Sequence, residues 1–225
     1  MKKYVIGDIH GRWEALKEVL TKCKFNYEKD KLIVLGDVVD GGYRTYEVVE
    51  ELLKIKHLVY IVGNHDEWFM NHIKSGWVDH IWLSQGGENT IKSYMKENTL
   101  TIPVTHQDFF NRGVYWHEED NCMFVHGGFK PKLHPKDETR QNLLWDRNII
   151  NVARLYHKTG KKIGKWDKVF IGHTTTQYII KGCVQPLQFA NLWMLDTGAG
   201  WTGTLSIMNI KTEKYCSSSI QEPAR

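Results

Sequence analysis

Long apolar runs are missing from this chain. No stretch of about 18 apolar residues occurs in its 225 residues, so no membrane-spanning helix is expected. Met1-Lys2-Lys3 passes straight into Tyr4-Val5-Ile6 without an apolar segment of signal-peptide length, and a protein that stays in the cytoplasm is expected. Its four cysteines, Cys23, Cys122, Cys183 and Cys216, form no CxxC or other short metal-binding spacing. A chain of this length has no need of disulfide staples, which fits a reducing compartment. Proline-rich linkers, repeats and low-complexity tracts are also absent, so no internal boundary can be drawn and one domain over residues 1–225 is expected. Lysine and arginine do not cluster, and a formal net charge of +4 with eleven neutral histidines is mild, so charge does not indicate a nucleic-acid partner. What is present is a composition of 41% hydrophobic and 25% charged residues, enough for one substantial core.

The first 75 residues read as three strand-loop-helix units. Tyr4–Ile6 is a short β run, Gly7–Gly11 a glycine-bounded loop, and Arg12–Leu20 carries Trp13, Leu16, Val19 and Leu20 at helical spacing. Leu32–Leu35 is a continuous apolar run of the kind a parallel strand covered on both faces shows, followed by the loop Gly36–Gly42 and a helix over Thr45–Lys54. The third unit is Leu58–Val62, the loop Gly63–Asp66, and a helix through Trp68, Phe69, His72 and Ile73. Strands alternating with helices predict a parallel sheet with right-handed crossovers. Residues 75–121 are mostly helical in pattern and read as an insertion beside the sheet. Strand character returns at Cys122–Val125, Val169–Ile171, Leu192–Leu195, Leu205–Ile210 and Lys214–Cys216, and this second half is expected to supply a second sheet.

Five islands end apolar runs: GDIHG at 7–11, GDVVDGG at 36–42, GNHD at 63–66, VHGG at 125–128 and GH at 172–173. They place Asp, His and Asn at the ends of strands, where a parallel sheet presents residues to a crevice. Asp8, His10, Asp37, Asn64, His126 and His173 make an oxygen and nitrogen ligand set without thiolate, which suits Mn²⁺, Fe, Zn²⁺ or Mg²⁺. Six ligands are too many for one catalytic ion with open positions, so two ions sharing Asp37 is the economical reading. Two such ions lie roughly 3.5–4 Å apart and could hold a bridging hydroxide for in-line attack on phosphorus.

In this order and spacing, GDIHG, GDVVD, GNHD, VHGG and GHT resemble the metallophosphoesterase superfamily, from Gly7 to about Gly203. The resemblance is to its phosphoprotein phosphatase branch, which holds the bacterial and phage-type serine/threonine phosphatases and the symmetrical diadenosine tetraphosphate hydrolases. It implies a calcineurin-like α/β fold, a four-layer α/β/β/α sandwich, with a helical insertion. It implies that Asp8, His10 and Asp37 hold one divalent ion and that Asp37, Asn64, His126 and His173 hold the other, with Mn²⁺ the expected metal. It further implies that His65 protonates the leaving alkoxide and that Asp40 orients His65.

Two departures from the family pattern carry information. Phosphodiesterase and nuclease branches read GHxH, whereas Gly172-His173 is followed here by Thr174 and Thr175, which favours the phosphatase branch. The pattern GDxVDRG has an arginine that grips phosphate, and this chain has Gly41 there. Arg44, three residues on, is one candidate substitute. Arg147, in Leu143-Leu144-Trp145-Asp146-Arg147, matches the LLWxR of the bacterial members, and a bidentate guanidinium suits a phosphoryl group. His106, His117, His134 and His157 lack such context and read as surface or structural. Trp13, Trp68 and Trp145 read as core, while Trp201, in the turn Asp196–Trp201, is a candidate for the site rim. The expected activity is a dimetal phosphatase acting on phosphoserine and phosphothreonine in proteins. The alternatives are a hydrolase of diadenosine polyphosphates or other small phosphoesters, and an inactive binding module on the same fold.

Overall fold

The computed structural model describes residues 1–219, so the expected single domain over 1–225 has its last residues, 220–225, outside the described range. Three β-α units open the chain: β1 (Lys3–Ile6) and α1 (Trp13–Lys22), β2 (Lys31–Val34) and α2 (Thr45–Leu53), β3 (His57–Tyr60) and α3 (Asn64–Ser75). The three strands pair in parallel, β1 to β2 and β2 to β3. Next come α4 (His80–Trp82), a kinked turn over Leu83–Gly87, α5 (Glu88–Ser93), a small hairpin of β4 (Met95–Lys96) and β5 (Thr99–Leu100), and α6 (Val104–Asn111). The remainder runs β6 (Trp116–Glu119), β7 (Cys122–Val125), α7 (Arg140–Trp145), α8 (Asn148–Thr159), β8 (Lys168–Ile171), α9 (Thr176–Ile179), β9 (Leu187–Phe189), β10 (Leu192–Met194), α10 (Ala199–Thr202), β11 (Ser206–Asn209) and β12 (Tyr215–Ser217).

Two five-stranded sheets result, in the orders β12-β11-β1-β2-β3 and β6-β7-β8-β10-β9. Strand alternation divides the core into three layers of side chains. Tyr4, Ile6, Leu32 and Val34 face the helices of the first sheet, among Leu16, Val19, Val48, Val49 and Leu52. Val5, Ile33, Leu35, Phe124, Phe170, Trp193, Leu195 and Met208 meet between the sheets. Met123, Val125, Val169, Ile171, Leu192 and Met194 face α8 through Ile149, Ile150 and Ala153. This is the four-layer α/β/β/α sandwich, and it accounts for the unbroken apolar runs: β2 has neighbours on both faces.

The insertion over 75–121, helical in α4, α5 and α6, also contains the β4–β5 hairpin and contributes β6 to the edge of the second sheet. One expectation needs correction: the second half supplies β7 to β10 of the second sheet, but β11 and β12 return to the first, with β11 antiparallel to β1. β1 therefore sits in the middle of its sheet, with its C-terminal end deep in the molecule.

Candidate metal centre

The loops that leave β1, β2, β3, β7 and β8 converge at one end of the two sheets. Those after β1 and β2 are laced together, with the Ile9 and His10 N–H groups both donating to the Asp37 carbonyl at 3.0 and 2.8 Å. Close approach explains why the islands contain glycine. A Cβ on Gly172 would fall 2.2 Å from Asp8 Oδ1, and one on Gly63 would fall 2.1 Å from Asp37 Oδ1. Four non-glycine residues here adopt left-handed backbone: His10 (φ 50°), Asp37 (47°), Asp40 (68°) and His173 (61°). Such conformations cost about 1 kcal/mol or more each and persist where the surroundings over-determine them, as functional sites do.

The candidate ligands form two overlapping triads, Asp8-His10-Asp37 and Asp37-His126-His173, and within each triad all ligand atoms lie within 4.8 Å of one another. Asp37 is common to both. Asn64 Oδ1 lies 3.0 Å from His126 Nε2 and 2.9 Å from His173 Nδ1. Backbone carbonyls set the imidazole tautomers. His126 Nδ1 donates to Leu35 O at 2.7 Å and His10 Nδ1 to Val39 O at 3.1 Å, leaving the Nε2 lone pair of each neutral ring for the site. The His126 lone pair then faces Asn64 Oδ1 and, at 3.4 Å, Asp37 Oδ2. Converging lone pairs of this kind call for a cation, and the donor set of carboxylates, an amide oxygen and imidazoles fits divalent metal ions.

Protonation tendencies agree. Burial raises the Asp37 carboxyl, but His126, His65 and His10 outweigh it and hold the group well below the usual carboxylate range. Burial also opposes a charge on His126, yet Asp37 and the bond to Leu35 raise its pKa, so a proton is drawn to a position where a metal would compete for it. His173 is pushed down to about 3 by burial and by the neighbouring His126, leaving a neutral ring. Its Nε2 is buried without a hydrogen-bond partner among the described residues. Asp8 is raised by burial and by the negative charges of Asp196 and Asp37, a repulsion that bound cations would relieve.

His65 stands beside this cluster at the first turn of α3. Its Nδ1 lies 2.6 Å from Asp40 Oδ2, and its ring meets those of His10 and Trp68 edge to face at 5.0 Å in both cases. Asp40 has no exposed surface. Burial raises its carboxyl, against the opposing bonds from His65 and Thr90. Three further residues emerge as parts of the site. Trp68 and Trp145, read from sequence as core, are partly buried and join His65 to His173, with the two indoles 5.4 Å apart and Trp145 5.6 Å from His173. Asp66 accepts from Val38 N and Gly63 N at 2.9 Å, clamping the loops after β2 and β3. Its place inside the GNHD island was the signal available.

The two candidate phosphate clamps part company. Arg147, exposed at the start of α8, lies near enough to His173 for its charge to help lower that ring's pKa. The structure does not bring Arg44 to the cluster. Its guanidinium pairs with Glu14 and Glu47 and stacks 4.3 Å over Trp13, because acceptors on α1 and α2 lie closer than the site. Trp201 is 59% exposed and follows Gly200, whose backbone packs on the His10 ring. His106 is structural, bonded to Tyr94 and Glu50, while His117 and His134 pair with Glu119 and Glu118.

A sandwich of two sheets that gathers acidic, amide and imidazole donors at its strand ends is a scaffold for metal-assisted hydrolysis. The family model for calcineurin-like phosphoesterases matches residues 1–195, and the chain belongs to that family. Among curated proteins it is 26% identical to serine/threonine-protein phosphatase 1 of Salmonella typhimurium (strain LT2), covering 92% of this chain and 91% of that one. It is 25% identical to the symmetrical bis(5'-nucleosyl)-tetraphosphatase of Pseudomonas fluorescens (strain SBW25), covering 99% and 96%. The structure of a protein serine/threonine phosphatase from Saccharomyces cerevisiae superposes with a TM-score of 0.61 at 16% identity, covering 99% of this chain and 81% of that one. The chain is a phosphatase-type hydrolase.

Proposed function

We propose that this chain hydrolyses phosphomonoesters with the help of two divalent metal ions, and that its substrates are phosphoserine and phosphothreonine in proteins. The observation that carries the reading is the pair of ligand triads sharing Asp37 beside the His65–Asp40 pair. Asp8, His10 and Asp37 would hold one ion, and Asp37, Asn64, His126 and His173 the other, with Mn²⁺ the first metal to test. When bound, the ions supply charge neutralisation and water acidified to a pKa of about 7. Asp40 holds His65 through Nδ1, which leaves Nε2 to give a proton to the leaving oxygen. Arg147 binds the phosphoryl oxygens, and Trp68 and Trp145 hold His65 and His173 in their rotamers. Thr175, where phosphodiesterase branches carry a second histidine, supports the preference for monoesters. A cytoplasmic location is part of the proposal.

A second reading, hydrolysis of dinucleoside polyphosphates, draws support from the symmetrical tetraphosphatase relative, which the chain matches over nearly its whole length. A substrate panel under Mn²⁺ separates the two: phosphoserine and phosphothreonine peptides, p-nitrophenyl phosphate, bis-p-nitrophenyl phosphate and diadenosine tetraphosphate. The proposal expects the phosphopeptides to give the highest kcat/KM. A preference for diadenosine tetraphosphate would replace it with the second reading, and no turnover of any ester would mean a binding module on an enzyme fold.

A further inference from the structure

Among the described residues, three side chains hydrogen-bond to the Asp40 carboxylate: Trp82, Thr90 and His65. Oδ2 receives the Trp82 indole N–H at 2.9 Å beside His65 Nδ1 at 2.6 Å, and Oδ1 receives the Thr90 hydroxyl at 2.7 Å. Thr90 Oγ1 also accepts the Asp40 backbone N–H at 2.8 Å, which leaves its own proton for Oδ1. An indole N–H can only donate. With the Trp82 indole N–H on Oδ2 and the Thr90 hydroxyl on Oδ1, both oxygens of the Asp40 side chain are held in place beside His65 Nδ1.

Both donors come from the 75–121 segment: Trp82 ends α4, Thr90 lies in α5, and the kinked Leu83–Gly87 turn brings them to the same side chain. Trp82, Thr90 and Asp40 have no exposed surface. A Cβ on Gly87 would fall 2.5 Å from Trp82 Cε2, so the indole has no room to turn. The same helix fixes the neighbouring backbone, with Asn89 Nδ2 donating to Gly41 O at 2.6 Å.

We propose that the 75–121 segment positions the proton donor of the site. Trp82 and Thr90 are positioning residues that lock Asp40, and through it His65, in the orientation that delivers a proton to the leaving oxygen. The inference rests on the phosphatase reading above. A donor fixed in this way matters most when the leaving oxygen is strongly basic and least when it departs easily, which separates positioning from general structural support.

The test compares the full-length protein with Trp82→Phe, Thr90→Val and Thr90→Ser on phenyl phosphate and p-nitrophenyl phosphate under Mn²⁺, with metal content and Tm measured on each. Trp82→Phe and Thr90→Val should lower kcat on phenyl phosphate by roughly 10–100-fold and on p-nitrophenyl phosphate by less than about 3-fold, with KM and metal content unchanged. Thr90→Ser, which keeps the hydroxyl, should restore the phenyl phosphate rate to within about 3-fold of the parent. Should Trp82→Phe fail to fold, the Val and Ser variants at position 90 still carry the comparison. Equal losses on both esters, or a Thr90→Val enzyme as fast as its parent, would overturn the positioning role. A parent inactive on both esters would overturn the phosphatase reading and the positioning role with it.

Discussion

Asp37 is the residue on which both triads depend. Replacing it with Asn removes the negative charge common to both, so Asp37→Asn should lower occupancy of both ions. Elemental analysis of mutant and parent in one buffer checks this, and two equivalents retained by the mutant would rule out the bridge. His65→Asn leaves the ligands in place, and should lower kcat by roughly 10²–10⁴-fold on substrates with poor leaving groups, the range of general acid catalysis, and far less on p-nitrophenyl phosphate. Arg147→Ala should raise KM for a phosphopeptide by roughly 10–150-fold, equivalent to about 1.5–3 kcal/mol for a lost charge-assisted contact. Arg44→Ala should change little, because its guanidinium is engaged by Glu14, Glu47 and Trp13. Steady-state kinetics of the two variants on one peptide distinguishes them. Restoring the family arginine at Gly41 carries its own cost, since the backbone there has φ 77°, which charges an L side chain about 1–2 kcal/mol.

At the scale of elements, β6 does more than extend the second sheet. Glu119 at its end takes Lys31 of β2 at 2.8 Å and also Lys3 of β1, tying the edge of one sheet to strands of the other. Burial opposes its ionisation, but the bonds from Lys3, Lys31 and His117 prevail and hold its pKa at about 2, against an ordinary 4.5. A carboxylate depressed in this way stabilises the fold above its unfolded pKa and loses that contribution as pH falls toward its folded value. Glu119→Gln should therefore lower stability by about 1–3 kcal/mol at neutral pH, with the difference shrinking between roughly pH 5 and pH 2. Chemical denaturation of mutant and parent across that range reads it, and a difference that does not depend on pH would show that packing, not charge, carries the effect.

For the molecule as a whole, the inter-sheet core is the joint on which everything else is mounted. Phe124 and Phe170 stack there at 5.1 Å with neither exposed, and Val5, Ile33 and Met208 close over them from the first sheet. Phe170→Ala should cost about 3–5 kcal/mol and lower the denaturation midpoint in a single transition, since both sheets share that layer. Two separate transitions would mean that the sheets unfold independently. The candidate ligand loops are drawn from both sheets, so metal binding should couple to the same transition: adding Mn²⁺ to the metal-free protein at about 100 times its Kd should stabilise it by about 2.7 kcal/mol for each site filled.

Much of this was legible in the sequence because it is written locally. Burial on both faces leaves an unbroken apolar run, as in Leu32–Leu35, and a turn that must admit a carboxylate leaves a glycine, as at Gly63 and Gly172. The parallel β1-β2-β3 core and the six candidate ligands follow from such marks, while the four-layer architecture comes from the family resemblance those islands carry. What is not written locally is partnership. Trp116–Glu119 alternates no apolar face, and only the neighbouring β7 makes it a strand. β11 looks like any C-terminal strand, yet it pairs with β1, some 200 residues away, because β1 had an edge to cover. Arg44 offered a plausible reach to the site until Glu14 and Glu47 lay nearer. Trp82 and Thr90 carry no motif, and a hydrogen bond to Asp40 over more than forty residues depends on where the intervening helices pack. Periodicity records whether a side chain is buried; which group it then faces is set by the tertiary structure, where long-range contacts compete for each donor and acceptor.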